Sequence, residues 1–200
     1  MDPIPQQHEG KQTDFGHAID SSTMRQAHSN FIEASRRLLN VNTWHELAGP
    51  MSATFELTDK HGVKHRGVAK PGDYIRIDIP GPGSSAGHGY DWVHIESIDD
   101  SPDPRADYES LVINVRPAST PRNNEPDVAH FFDEKATSTF MIERKKLQVV
   151  ASIHGRNETP NKDVLRTTDQ VRNTVVASAA TFGLASIQWN ALAKGLLKDL

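Results

Sequence analysis

Residues 164–196 read VLRTTDQVRNTVVASAATFGLASIQWNALAKGL, in which Val164, Thr168, Val171, Val175, Ser178, Phe182, Ala185, Trp189, Leu192 and Leu196 recur at alternating steps of four and three. That spacing lays a stripe along one helical face and predicts a single long helix over residues 162–197. The stripe needs cover, from the open face of a sheet or from a partner helix. Val175, Phe182, Trp189, Leu192 and Leu196 are its partner-facing side chains, and Ala179 and Gly183 beside them let a neighbour approach closely. The expected cover is the protein's own core, with self-association as a secondary role. The nearly apolar run at 175–187 is shorter than the ~20 residues of a membrane helix, so no membrane partner is expected.

The segment that feeds this helix, SIHGRNETPN at 152–161, gathers polar side chains. Arg156 offers a planar fork for a carboxylate or phosphate, and Asn157 and Glu158 add donors and acceptors, which makes the three a candidate ligand site. The same residues also suit a strand-to-helix corner, with Glu158 paired to Arg156 and Asn161 capping the helix after Pro160. Before them, 139–143 and 147–154 read as a hairpin across the basic turn Arg144, Lys145 and Lys146. Leu147, Val149, Ala151 and Ile153 supply its inner face.

Further back the period is two. Met51, Ala53, Phe55 and Leu57 alternate with polar residues, Ile75, Ile77 and Ile79 do the same, and Val93 with Ile95 and Leu111 with Ile113 and Val115 mark two more strands. A weak return strand is expected over 63–70. Residues 117–135 are irregular, anchored by Val128, Phe131 and Phe132. About seven short strands with turns between them and no alternating helices predict an α+β fold: an antiparallel β meander or small barrel-like sheet with N-terminal helices and one long C-terminal helix.

At the N-terminus, Met24, Ala27, Phe31, Ile32, Ala34, Leu38 and Leu39 share a helical face after Ser22, a candidate cap. Thr43 and Glu46 form a capping box around Trp44, and Gly49 and Pro50 stop the second helix. Residues 1–20 lack periodicity and read as a disordered tail. The expected domain is therefore 21–200, helical over 22–48, β-rich over 51–154 and helical again over 162–197.

A chain of 200 residues with 36% apolar and 24% charged residues suits one ordinary domain. The formal net charge of −4 argues against a nucleic-acid partner, because phosphate-backbone binders usually carry a basic excess. With no cysteine, disulfides and thiolate chemistry are excluded. The opening MDPIPQQHEGKQTDFG lacks a basic start and an apolar run of the signal-peptide kind, and a cytoplasmic location is expected.

Chemistry could sit in IPGPGSSAGHGYDWVHIE, residues 79–96. Its glycines could form an anion nest, but strands flank them where dinucleotide and phosphate-loop fingerprints require a helix start. Ser84, Ser85, His88 and Asp91 lack the strained elbow of a hydrolase nucleophile. His88, Tyr90, Trp92, His94 and Glu96 are candidate ligand-binding residues; Trp92, His94 and Glu96 project from one face of a strand, able to bind a ligand or to form a plain cross-strand polar ladder. No metal and no cofactor are expected, since only one His and one carboxylate have fixed geometry. The acidic run at 97–109 lacks calcium-loop spacing and reads as a solvated connection. The favoured function is a non-catalytic interaction or assembly module acting through the C-terminal helix and the glycine-rich loop, with a protein partner or self-association. The alternative is a small-molecule or enzymatic pocket lined by Trp92, His94, Glu96 and Arg156.

Overall fold

A computed structural model describes residues 3–49, 52–79, 86–122, 127–161 and 186–200. In chain order the elements are β1 (Lys11–Asp20), α1 (Met24–Leu39), a 3₁₀ turn (Val41–Thr43), α2 (Trp44–Ala48), β2 (Thr54–Thr58), β3 (Tyr74–Asp78), β4 (Asp91–Ser101), β5 (Tyr108–Pro117), β6 (Thr137–Lys145) and β7 (Gln148–Glu158). A C-terminal helix, α3, is described over 186–196. The seven strands form one antiparallel sheet in the order β1-β7-β6-β5-β4-β3-β2. β1 and β2, neighbours in sequence, thus lie at opposite edges. Crossing six strand spacings means about 29 Å, and the 16 residues of α1 supply about 24 Å of that span. The helical connection is therefore drawn across one face of the sheet.

That inner face is apolar because alternate residues of every strand point into it. One row runs Phe15, Ile153, Phe140, Ile113 and Ile98 across β1, β7, β6, β5 and β4. A bulge at Glu96 inserts one residue between Ile95 and Ile98 and keeps both inward. From α1, Ala27, Phe31, Ala34 and Leu38 close onto this face at steps of four and three, all fully buried.

Lys11–Asp20 is a full edge strand paired to β7, which corrects the expectation of a tail reaching residue 20. Its inward residues are only Thr13, Phe15, His17 and Ile19, a pattern diluted by glycine and charge. In contrast, 63–70 is no strand: Gly62 takes a positive φ, the Asp59 carboxylate turns the chain by accepting from the His61 and Val63 amides, and only Thr58 and Lys64 form a bridge. The strand count of seven is thus reached with β1 in place of 63–70.

Smaller corrections concern caps and turns. Thr23, one residue after Ser22, caps α1 by accepting from the Gln26 amide. Thr43 donates to the Asn40 carbonyl and makes no capping box. Gly49 ends α2 at a φ of +89°. Leu147 lies at the hairpin tip and is 41% exposed, whereas Val149, Ala151 and Ile153 are buried. Arg144 is not in a basic turn. It is fully buried in β6, beside the equally buried Glu109 of β5.

The Trp189, Leu192 and Leu196 stripe enters the protein's own core. Leu192 and Leu196 are buried with Ala193 and Leu197, and Trp189 sits 5.4 Å from Phe140 and 5.8 Å from Phe55. Trp44 closes the cluster, 4.8 Å from Phe140 and 5.4 Å from Phe55. The Arg37 guanidinium donates to the Leu196 and Lys198 carbonyls at the end of α3. A Cβ at Gly195 would overlap the Leu47 carbonyl, so glycine sets the close approach of α3 to α2. Val175 and Phe182 lie outside the described residues.

Candidate ligand groove

Trp92, His94 and Glu96 share the outer face of the sheet, away from α1 and α3. The His94 ring lies 4.9 Å from Tyr74 of β3 and opposite Arg116 of β5. Arg116 pairs with Glu96 at 2.7 Å and donates to the Glu134 carbonyl. Tyr90 carries the Arg76 guanidinium 4.3 Å from its ring centre. Trp92 is 1% exposed, with the Arg122 guanidinium 5.4 Å from its ring and its backbone bonded to Ala129 and Ala118. His88 occupies a turn at a φ of 54°. This is a cross-strand polar ladder with each charge engaged by a neighbour.

Arg156 lies on the same outer face three strands away, about 14 Å from β4. Its guanidinium donates to the Asp14 carboxylate and to the Thr13 and Gly155 carbonyls. Burial would raise the Asp14 pKa, but hydrogen bonds from Gln12, His154 and Arg156 with the Arg156 charge outweigh it and hold the group at about 2. Glu158 does not pair with Arg156. It accepts from the Thr13 hydroxyl in space that a Cβ at Gly155 would fill, and burial raises its pKa. Asn157, at a φ of 55°, accepts from the His8 and Glu9 amides and donates to the Gln6 carbonyl. Asn161 donates to the Val128 and His130 carbonyls. The polar cluster at the end of β7 therefore fastens the N-terminal segment to the sheet. Three strand spacings thus separate Trp92, His94 and Glu96 from Arg156.

A second buried polar group joins α1 to the sheet. Glu109 accepts from Arg144, from the His28 ring at 2.8 Å and from the Asp103 amide at 2.8 Å, while Arg144 also donates to the Ala106 and Lys146 carbonyls. Glu109 and Arg144 are fully buried, so the group acts as a tie between α1 and the sheet.

Among the described residues, an open concavity lies elsewhere. A groove of about 540 Å³ runs between the inner face of β1 and the last turns of α3, with His17 and Ile19 on one wall, Ala191, Leu197 and Leu200 on the other and Leu47 and Gly195 at the α2 end. Lys194 and Lys198 stand at its rim, both exposed, and Asp199 adjoins them. A more polar hollow of about 440 Å³, lined in part by Arg36, Arg37, Asn40 and Glu46, shares Leu47, Gly195 and Lys198 with it. The groove residues carry no motif. The one signal for them is the weak alternation Phe15, His17, Ile19 that also marks β1.

No described protein family matches the sequence, and no curated protein does. The chain is similar in its path to a hypothetical protein of Helicobacter pylori, 8% identical over 94% of this chain and 87% of that one, with a TM-score of 0.49. It is also similar to norcoclaurine synthase of Thalictrum flavum, 9% identical over 98% and 97% with a TM-score of 0.39. A major latex-like protein of Panax ginseng is 13% identical over 93% and 99%, with a TM-score of 0.37. With every one of these scores below 0.5, the reading of the site stands on its own side chains.

Those side chains suit apolar contact. Among the described residues no three His, Asp or Glu side chains gather as a metal site, and no helix is long and apolar enough to cross a membrane. What the groove offers is an aliphatic floor with cationic groups at its edge.

Proposed function

We propose that the protein binds a small, largely apolar molecule in the groove between β1 and α3. The groove itself carries the reading: about 540 Å³ falls in the range of ligand clefts, and aliphatic side chains with a few polar groups at the margin are the usual lining. The outer-face residues Trp92, His94 and Glu96 support a pocket less well, because Glu96 is paired with Arg116, His94 packs against Tyr74 and Trp92 is buried beside Arg122. An assembly role through Trp189, Leu192 and Leu196 has less support, since those side chains are committed to the core.

The test uses a neutral, polarity-sensitive dye such as N-phenyl-1-naphthylamine. The expected result is saturable fluorescence enhancement that falls at least tenfold in affinity in Ala191→Trp, where the indole fills the groove, while the thermal midpoint stays near that of the parent. Absence of saturable binding to the parent protein, or equal binding to the variant, overturns the proposal.

A further inference from the structure

We infer that the occupant of the groove is an anionic amphiphile, an aliphatic chain ending in a carboxylate that rests against Lys194 and Lys198. This rests on the groove being a ligand site. Lys194 stands in the last turn of α3 and Lys198 in the tighter turn that follows it, and both line the groove. Neither ammonium has an ion-pair partner among the described residues. The negative end of the α3 dipole would ordinarily repel an anion here. Arg37 removes that obstacle by donating to the Leu196 and Lys198 carbonyls, which brings a guanidinium to the helix end. The aliphatic lining of Ile19, Leu47, Leu197 and Leu200 matches an alkyl chain; the polar lining is His17 together with the two ammoniums, which outnumber the one side-chain carboxylate among them, Asp199.

The experiment measures displacement of the neutral dye by decanoate, decan-1-ol and decyltrimethylammonium, each below its aggregation threshold. Decanoate is expected to compete best, to tighten about fourfold for each added methylene, and to weaken with added salt. In the double variant Lys194→Gln/Lys198→Gln, decanoate binding should weaken roughly fivefold while decan-1-ol and the dye are unchanged. If decan-1-ol competes as well as decanoate, or the double variant binds decanoate as the parent does, the carboxylate assignment fails and the groove survives. If the dye and all three chains fail to bind, the groove reading itself has failed. Co-sedimentation with phosphatidylglycerol vesicles in the absence of decanoate binding would overturn the inference in favour of a lipid surface.

Discussion

Glu109 and Arg144 face each other at zero exposure, and each satisfies the other's charge together with His28 and four backbone groups. Removing one member strands a charge in the interior, so Arg144→Ala should cost about 3–5 kcal/mol in urea unfolding at neutral pH. Replacing both, as Glu109→Gln/Arg144→Met, should cost clearly less than the single change. A single variant as stable as the double would show the pair to be solvated. His130 acts oppositely. Burial lowers its pKa to about 3, and its ring nitrogen accepts from the Phe132 amide as the neutral form. The unfolded chain takes up a proton below about pH 6.5 while the folded chain does not, so stability present above that pH is lost as it falls toward 3. Between pH 7 and 4.5 the parent should lose about 2 kcal/mol more than His130→Asn, which keeps an acceptor for Phe132 and does not titrate. Parallel pH profiles of the two would exclude a buried neutral ring.

At the scale of elements, β1 and the segment before it have separable parts. Residues 6–9 bond the buried amide of Asn157, and deleting residues 1–10 should cost about 1–3 kcal/mol by leaving that group unpaired. Deleting 1–20 removes Phe15 and Ile19 from the inner face and uncovers the edge of β7; loss of cooperative thermal unfolding is the expected outcome in calorimetry. Unchanged midpoints in both truncations would mean that neither segment docks. The same two segments show what could be read beforehand. Strands whose alternate residues are Ile, Val or Phe, such as β3 and β5, were legible because their period survives any local noise. β1 hides because Gly16, His17 and Ala18 dilute its pattern, and its membership depends on β7, far along the chain. The polar residues of 152–161 stood out correctly as a cluster. Their partners, Asp14, Thr13 and Gln6, belong to a segment whose composition resembles a tail, and no local rule joins the two.

Over the whole molecule, one apolar face is assigned three ways. Part of it is filled by Trp44 of α2, Phe55 of β2, Phe140 of β6 and Trp189 of α3, its ends are tied by buried polar groups, and its β1 margin is left open as the groove. The groove was not legible in the sequence, because each wall contributes residues unremarkable by themselves. It exists where an edge strand, a helix end and Leu47 meet. The antiparallel pairing of β1 with β7 also bears on how the protein is made. Asp20 is hydrogen-bonded to Gln148, 128 positions later. At ordinary elongation rates that is a wait on the order of ten seconds, during which the first strand has no partner of its own. The nascent chain must therefore carry an unpaired β1 until β7 has emerged, with Phe15 and Ile19 waiting for the inner face they belong to; the contact that completes the sheet is the one between its earliest strand and its latest.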